Sequence, residues 1–560
     1  MLRTAPLLAV LVLLGPIAFG VLATLLPAIG YLPSLGSSHL TFVHFETLIA
    51  YPGLVGSVAL SLISGLGTTL VSFGIVLAFV SSWNGTATFR RVQHLVSPLL
   101  SIPHAAAAFA LAFLIAPSGY IFRLLSPWAT GSERPLDLLI INDPFGFSMM
   151  AGLIVKEVPF LLLITLAALP QTPVRQATQL SVSIGYGRVA GFIFTTWPLI
   201  YRQIRLAVFA VIAYATSVVD VAIILGPSSP PTLAVRLTQW MSDPDLSLRF
   251  VASAGAVLQL AVTVFAIFIW IALERLAGRI ARRIRNKGQR FTSDGWLRMI
   301  SLSAVIISVA IVLAGLLILG LWSLAAFWAF PDIWPRGLTP QNWMRALPSL
   351  QSPLLTTLSV GLASTLLAVV LTLACLERED RVGHSGGTRA LFLLYLPLLV
   401  PQVGFVFGLQ IFFLEIDADA KWLSLVLVHL IFVLPYVFLS LSDPWRAWDK
   451  RYGSIAKGLG ASPDRVFWKI RLPMLLKPAL VASAVGFAVS IGQYLPTLLI
   501  GAGRWPTITT EAVALASGGN RRVIGVYAFV QMFLPFIGFA LATIIPAWLF
   551  RNRAELRGAP

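Results

Sequence analysis

The chain has 560 residues, of which 58% are hydrophobic and only 11% charged, and its mean hydropathy is +0.87. A soluble chain carries about 25% charged residues, so a cytosolic enzyme, a disordered scaffold and a fibrous repeat are excluded. The net charge of +18, from 40 Lys+Arg against 22 Asp+Glu, points either to nucleic acid or to a cytoplasmic membrane face, and the placement of the charges decides between them.

The first apolar run, from about Thr4 to Gly30, is longer than the ~7–15-residue core of a signal peptide. It also lacks a small-residue exit, so it is expected to be a retained first span. Further runs able to cross a bilayer fall near 52–80, 95–117, 146–169, 204–226 and 250–273. A second set falls near 299–330, 353–376, 390–413, 421–442, 475–500 and 525–550. The fold class that follows is an all-α polytopic membrane protein of about 12 transmembrane helices, at ~20 residues each. The one cysteine, Cys375, lies inside an apolar run. No intrachain disulfide and no Cys-based metal site can form.

With the N-terminus inside and the spans alternating, 29 of the 40 basic residues fall on inside segments, ten outside, and Lys156 within a span. The inside set runs from Arg3 through Arg90 and Arg91 to Arg389, Arg551, Arg553 and Arg557. Acidic residues show no such bias. This is the positive-inside pattern, which needs no nucleic acid and makes both termini cytoplasmic. The densest cluster, RLAGRIARRIRNKGQRFTSDGWLR (275–298), joins span six to span seven. It reads either as a linker lying on anionic lipid or as a plain loop with an orienting charge cluster.

The chain repeats itself. Phe45–Glu46–Thr47 pairs with Trp343–Met344–Arg345, Leu60–Ser61 with Leu358–Ser359 and Ile102–Pro103 with Val400–Pro401, all at an offset of 298. Gly185 pairs with Gly460, Pro198 with Pro473 and Gly226 with Gly501 at an offset of 275. The change of register falls between the third and fourth spans, where the outside loop 118–145 faces a much shorter 414–420. The expected organisation is a first half over 1–274, a basic linker over 275–298 and a second half over 299–560. Six spans per half make the repeats parallel, related by an axis along the membrane normal with a path between them.

Between spans four and five lies VRQATQLSVSIGYGRVAGFIFTTWPLIYRQ (174–203), and between ten and eleven lies RYGSIAKGLGASPDRVFWKIRLPMLLKP (451–478). Each carries a Gly followed by a Pro 13 residues later. The pattern predicts a short helix, a glycine turn, a second short helix and a proline at re-entry into the membrane. Two copies on the inside face make a pair of docking knobs for a symmetric pair of soluble subunits.

At these residues the sequence resembles the "EAA" loop of ABC-importer permeases, E-A-A-x-x-x-G, nine positions, then hydrophobic-x-L-P. The second copy matches from Gly460 through Ile470, Leu472, Pro473 and Pro478, with Ser454 and Ile455–Ala456 at the Glu-Ala-Ala positions. The first copy is weaker, with Gln179–Leu180–Ser181, Gly185, Trp197 and Pro198. The resemblance covers nearly the whole chain. It is similar to the fused two-half permeases that include iron(III) and thiamine importers, and most of all to the YnjC-like branch often labelled as thiamine transporters. It implies a type I (MetI-like) fold of two parallel six-helix repeats in the bacterial inner membrane. It also implies a coupling role for Gln179, Gly185, Pro198, Ser454, Ala456, Gly460, Leu472 and Pro473, and two ABC ATPase subunits on the cytoplasmic face. An extracytoplasmic solute-binding protein and membrane lipid complete the implied partners. ATP would be bound by the ATPases, and no cofactor or metal is expected in this chain.

An ionisable residue in a span is costly and is a functional candidate by default. Lys156 and Glu157, adjacent in span four, do not share a helix face. They read either as path lining or as neutralised packing, each with its own partner. Asp220 and, in the second copy, Gln493 and Tyr494 occupy the stretch that in similar permeases lies near the translocation path. His429 reads as a satisfied packing histidine more readily than as a ligand. No G-x-x-x-x-G-K-[ST] loop, H-E-x-x-H or G-x-S-x-G motif is present, so the chain is expected to be a transport subunit and not an enzyme. The alternative is a 6+6 secondary transporter drawing on ion coupling through Lys156–Glu157 or Asp220.

Overall fold

The computed structural model describes residues 3–383, 387–518 and 520–551. Arg553 and Arg557, counted above among the inside residues, lie outside them, as does the side chain of Arg389. Among the described residues ten helices are long and apolar enough to cross a bilayer, and two bent pairs raise the number to twelve when each pair counts as one span. Among the described residues β-pairing is limited to isolated bridges.

In chain order the helices used below are α1 (Ala5–Ala28), α2 (Leu54–Trp83), α3 (His104–Ile115) and α4 (Phe147–Ala168). Then come α5 (Val174–Ser183), α6 (Arg188–Gly191), α7 (Trp197–Ser217), α8 (Asp220–Leu225) and α9 (Leu248–Asn286). The second copy holds α10 (Gly295–Leu324), α11 (Gln341–Val382), α12 (Gly387–Leu399), α13 (Gln402–Glu415) and α14 (Trp422–Arg446). It ends with α15 (Lys450–Gly458), α16 (Pro463–Val466), α17 (Leu476–Ile491), α18 (Leu495–Gly501) and α19 (Arg521–Leu549).

Several expected spans are shorter or broken. The third begins at His104 and not near 95, because Pro103 forces an extended backbone at Ile102 and the chain enters α3 from a short 3-10 turn. Val400–Pro401 repeats the break in the second copy, where the helices on either side meet at 87°. The fifth ends at Ser217 and resumes at Asp220. Span six, by contrast, overshoots: α9 continues through Asn286, so most of the basic 275–298 segment is helix and not loop.

The two copies interlock. α1 packs against α13 of the opposite copy, and α10 packs against α3. Without a hydrophobic drive in lipid, close backbone approach at small residues holds such pairs. A Cβ on Gly408 would overlap the Gly20 carbonyl oxygen, and one on Gly20 would overlap that of Phe405. Thr24 closes the crossing by accepting from the Gly408 N–H at 3.1 Å while donating to Gly20 O at 2.8 Å. At the counterpart crossing a Cβ on Gly315 would lie 2.5 Å from that of Ala110. Gly408→Val is therefore expected to destabilise the fold by about 3 kcal/mol through overpacking, read as a lowered unfolding midpoint in detergent. Gly458→Ala, where a Cβ meets nothing within 4 Å, is the neutral control.

Candidate functional site

Successive spans reverse direction, so the segments after α4 and α14 emerge at the same end of the molecule. Both build the same arm. Each opens with a short helix, α5 or α15, closed by a left-handed glycine, Gly185 (φ 80°) or Gly460 (φ 84°). The turn is a Schellman motif in both. Gly185 N–H donates to Val182 O at 2.9 Å and Tyr186 N–H to Ser181 O at 3.1 Å, and the second arm repeats this with Gly460 to Lys457 and Ala461 to Ala456. One turn of helix follows (α6 or α16), then five residues of π-helix, Phe192–Thr196 and Phe467–Arg471. Pro198 and Pro473 come next, at the first turn of the following helix, where a missing N–H costs nothing.

The arms differ in what braces them. In the second, Ser462 caps α16 by accepting from Arg465 N–H at 3.3 Å. Arg471, buried at the end of the π segment, reaches Glu377 at 3.4 Å and Asp380 on the last turns of α11. It donates to Trp445 O at 3.2 Å and lies 3.8 Å over the Trp445 ring. Arg381 adds bridges to Glu377 and Asp464, each 2.7 Å. The first arm has Thr196 where the second has Arg471, and Gly187 where Ser462 stands. Its missing cap comes from the segment between α9 and α10: Asp294 Oδ2 accepts from Val189 N–H at 2.9 Å. Gly187 N–H donates to Arg290 O at 3.0 Å, and a Cβ on Gly187 would overlap Phe291 O. The Arg290 guanidinium lies 4.5 Å over Tyr186.

Of the residues singled out from sequence, Gln179, Gly185, Pro198, Ser454 and Gly460 are exposed on the arms, Leu472 and Pro473 are half-buried, and Ala456 is buried. The sequence reading passed over the apolar tips. Leu180 and Ile184 stand exposed on the first arm (60% and 47%), and Ile455 and Leu459 on the second (62% and 84%). They are equivalent at the offset of 275, which was the available signal. The two arms thus expose four aliphatic side chains at equivalent positions, and exposed apolar patches of this kind mark interaction sites.

A polar cluster lies between the copies. Lys156 and Glu157 do take separate partners. Lys156 Nζ donates to Leu99 O and Leu100 O, both at 2.9 Å, and so ties down the turn ahead of Pro103. Glu157 instead meets His104 Nε2 at 3.2 Å, and the His104 ring packs 4.5 Å from that of Tyr214. Asp220 is buried on the first turn of α8, within electrostatic range of His104, Tyr214 and Tyr494. Gln493 Oε1 accepts from Gln402 Nε2 at 3.4 Å. His104 and Gln402 both follow the paired prolines, and Gly492 lies against Pro103, so both broken spans meet the Gly492–Gln493 break between α17 and α18 here. The structure thus places Glu157 and Asp220 around His104 and Tyr214, with Tyr494 in range of Asp220 and Gln493 beside it in the chain, while Lys156 bonds to the Leu99–Leu100 turn. His429 is satisfied by Ser490 (2.7 Å) and Thr497 (3.0 Å). Among the described residues no group of three or more His, Cys, Asp or Glu is placed to hold a metal.

Residues 379–552 match the family of binding-protein-dependent transport system inner membrane components. The chain is similar to the inner membrane ABC transporter permease protein YnjC of Escherichia coli, 33% identical over 98% of this chain and 99% of that one. It is also similar to the molybdenum transport system permease protein ModB of Mycobacterium tuberculosis, 30% identical over 30% of this chain and 67% of that one. The putrescine transport system permease protein PotI of E. coli is 26% identical over 34% and 69% respectively.

Proposed function

Because this chain belongs to the inner-membrane permeases of ABC importers, we propose that its two arms are the coupling elements through which a pair of ATPase subunits drives transport. The permease is a multi-pass inner-membrane transport subunit, and the family works with ATPase and solute-binding partners. In the finer reading the arm-bearing end and both termini are cytoplasmic, one ATPase docks on each arm, and the binding protein delivers solute at the opposite end. The observation that supports this best is the pair of Gly185 and Gly460 turns with equivalent exposed aliphatic tips. ATP stays with the partners. Closure of the ATPases would draw the arms together, and the π segments and prolines would pass that motion to α7 and α17, which flank the central cluster.

Relatives carry names with molybdenum, putrescine and 2-aminoethylphosphonate, so solute choice follows the path and the delivering protein and not the fold. Here the path would present Asp220 and Glu157 beside tyrosine rings, which suits an organic cation such as thiamine better than bare iron(III). Asp220→Asn is expected to lower uptake of such a cation about tenfold or more, as loss of a buried charge partner costs ~2 kcal/mol or more, while ATPase association is retained. The decisive measurement is uptake into reconstituted vesicles with the ATPase and ATP enclosed and the solute supplied outside. Uptake that persists without ATP and collapses with the proton gradient would overturn the proposal and favour an ion-coupled carrier.

A further inference from the structure

We propose that the groove between the first arm and the basic extension of α9 binds the headgroup and upper acyl chain of an anionic phospholipid. The groove encloses about 520 Å³. One wall carries Arg275, Arg279, Arg282 and Arg285, which recur at three- and four-residue steps and so share one helix face. Gly278 and Ala281, on the same face, keep the space between the guanidiniums open; a Cβ on Gly278 would meet nothing within 4 Å. The other wall is apolar, made by Ile193, Phe194 and Pro198 of the π segment and the start of α7.

Charge and position both select a lipid. Among the described residues none of the four guanidiniums forms an ion pair. Neighbouring Glu274 is taken by Arg205 at 2.8 Å and by Tyr201. An anion is therefore the missing counterpart, and the apolar wall asks for acyl chain beside it. The 39 residues of α9 run about 58 Å at 1.5 Å per residue, roughly twice the ~30 Å hydrocarbon core. Its apolar lipid-facing stripe continues through Phe265, Phe268, Leu276 and Ile280, all exposed. Arg275 and Arg279 thus begin where headgroups lie. A basic pocket between helices at this depth holds lipid phosphate. Since the π segment of the first arm forms one wall, the occupant would brace the arm that lacks an Arg471 clamp. This last step rests on the coupling role proposed above, whereas the binding itself does not.

The test uses the full chain, without any ATPase, in nanodiscs of phosphatidylcholine with and without phosphatidylglycerol. Hydrogen exchange over 190–200 and 275–290 and native mass spectrometry of retained lipid are the two readouts. Phosphatidylglycerol is expected to protect both segments and to remain bound. R275Q/R279Q/R282Q and the charge-neutral Gly278→Leu are each expected to weaken retention about tenfold or more, about 1 kcal/mol being available per basic residue at the surface. R90Q/R91Q, at the same end but off the groove, should not. Equal loss in R90Q/R91Q, or unchanged retention in Gly278→Leu, would show diffuse attraction and overturn the site. Protection reproduced by inorganic phosphate alone would make it a free-anion site and overturn the lipid assignment. Failure of any of these leaves the ATPase reading intact, because no ATPase is present.

Discussion

I455D/L459D is expected to abolish capture of the ATPase and ATP-driven uptake while leaving the fold unchanged. Leu459 is 84% exposed and Ile455 62%, so neither aspartate buries a charge in the permease, and the unfolding midpoint should hold. At a docked interface the same side chains would be desolvated. Truncating an anchor of this kind costs about 2 kcal/mol or more, roughly thirtyfold in affinity, and a buried carboxylate costs further. The check is co-purification with the ATPase, followed by uptake in vesicles. L180D/I184D on the first arm reports whether both arms dock, since Gln179 and Ser454 stand where the family has its glutamates. Normal ATPase association in I455D/L459D would remove the docking role from the second arm.

The second large effect is expected at Arg471. Arg471→Leu should lower stability by about 3–5 kcal/mol, the usual result of removing one member of a buried ionic group. The loss leaves Glu377 and Asp380 without their shared cation in the space between α11, α14 and the second arm. Arg381 still reaches Glu377 at 2.7 Å and Lys450 still reaches Asp380 at 3.5 Å, so the deficit centres on the oxygen of each carboxylate that faced Arg471. Trp445, whose ring lies under the guanidinium and whose Nε1 donates to Asp380 at 3.0 Å, also loses its support. Thermal unfolding in detergent measures the effect. Adding Glu377→Gln and Asp380→Asn to Arg471→Leu should recover part of it, because the stranded charges are then gone. A midpoint unaffected by Arg471→Leu would mean that the cluster does not hold the arm.

The two arms thus share a backbone and differ in their clamps. The second is locked by charges from α11, 94 residues away along the chain. The first is capped by Asp294, 105 residues away, in the connection that joins the copies. A change at that connection acts on the first arm directly, through Gly187 and Val189.

Much of this was readable from local chemistry. Ten crossings among the described residues, or twelve with the two bent pairs, follow from apolar run length, since lipid demands about 20 residues of internally bonded helix whatever surrounds them. The paired arms follow from Gly185/Gly460 and Pro198/Pro473, because left-handed φ and a missing N–H are properties of single residues and survive divergence of everything between them. The breaks at Pro103 and Pro401 are of the same kind. What the residues do not encode one by one is partnership. Lys156 and Glu157 are neighbours in sequence, yet one ties a turn and the other meets His104. The crossing of α1 onto α13, the clamp on Arg471 and the loan of Asp294 each join groups roughly a hundred residues or more apart. Such contacts depend on which helix faces meet once lipid has been excluded between them, and a glycine such as Gly408 shows its necessity only when Gly20 is placed against it.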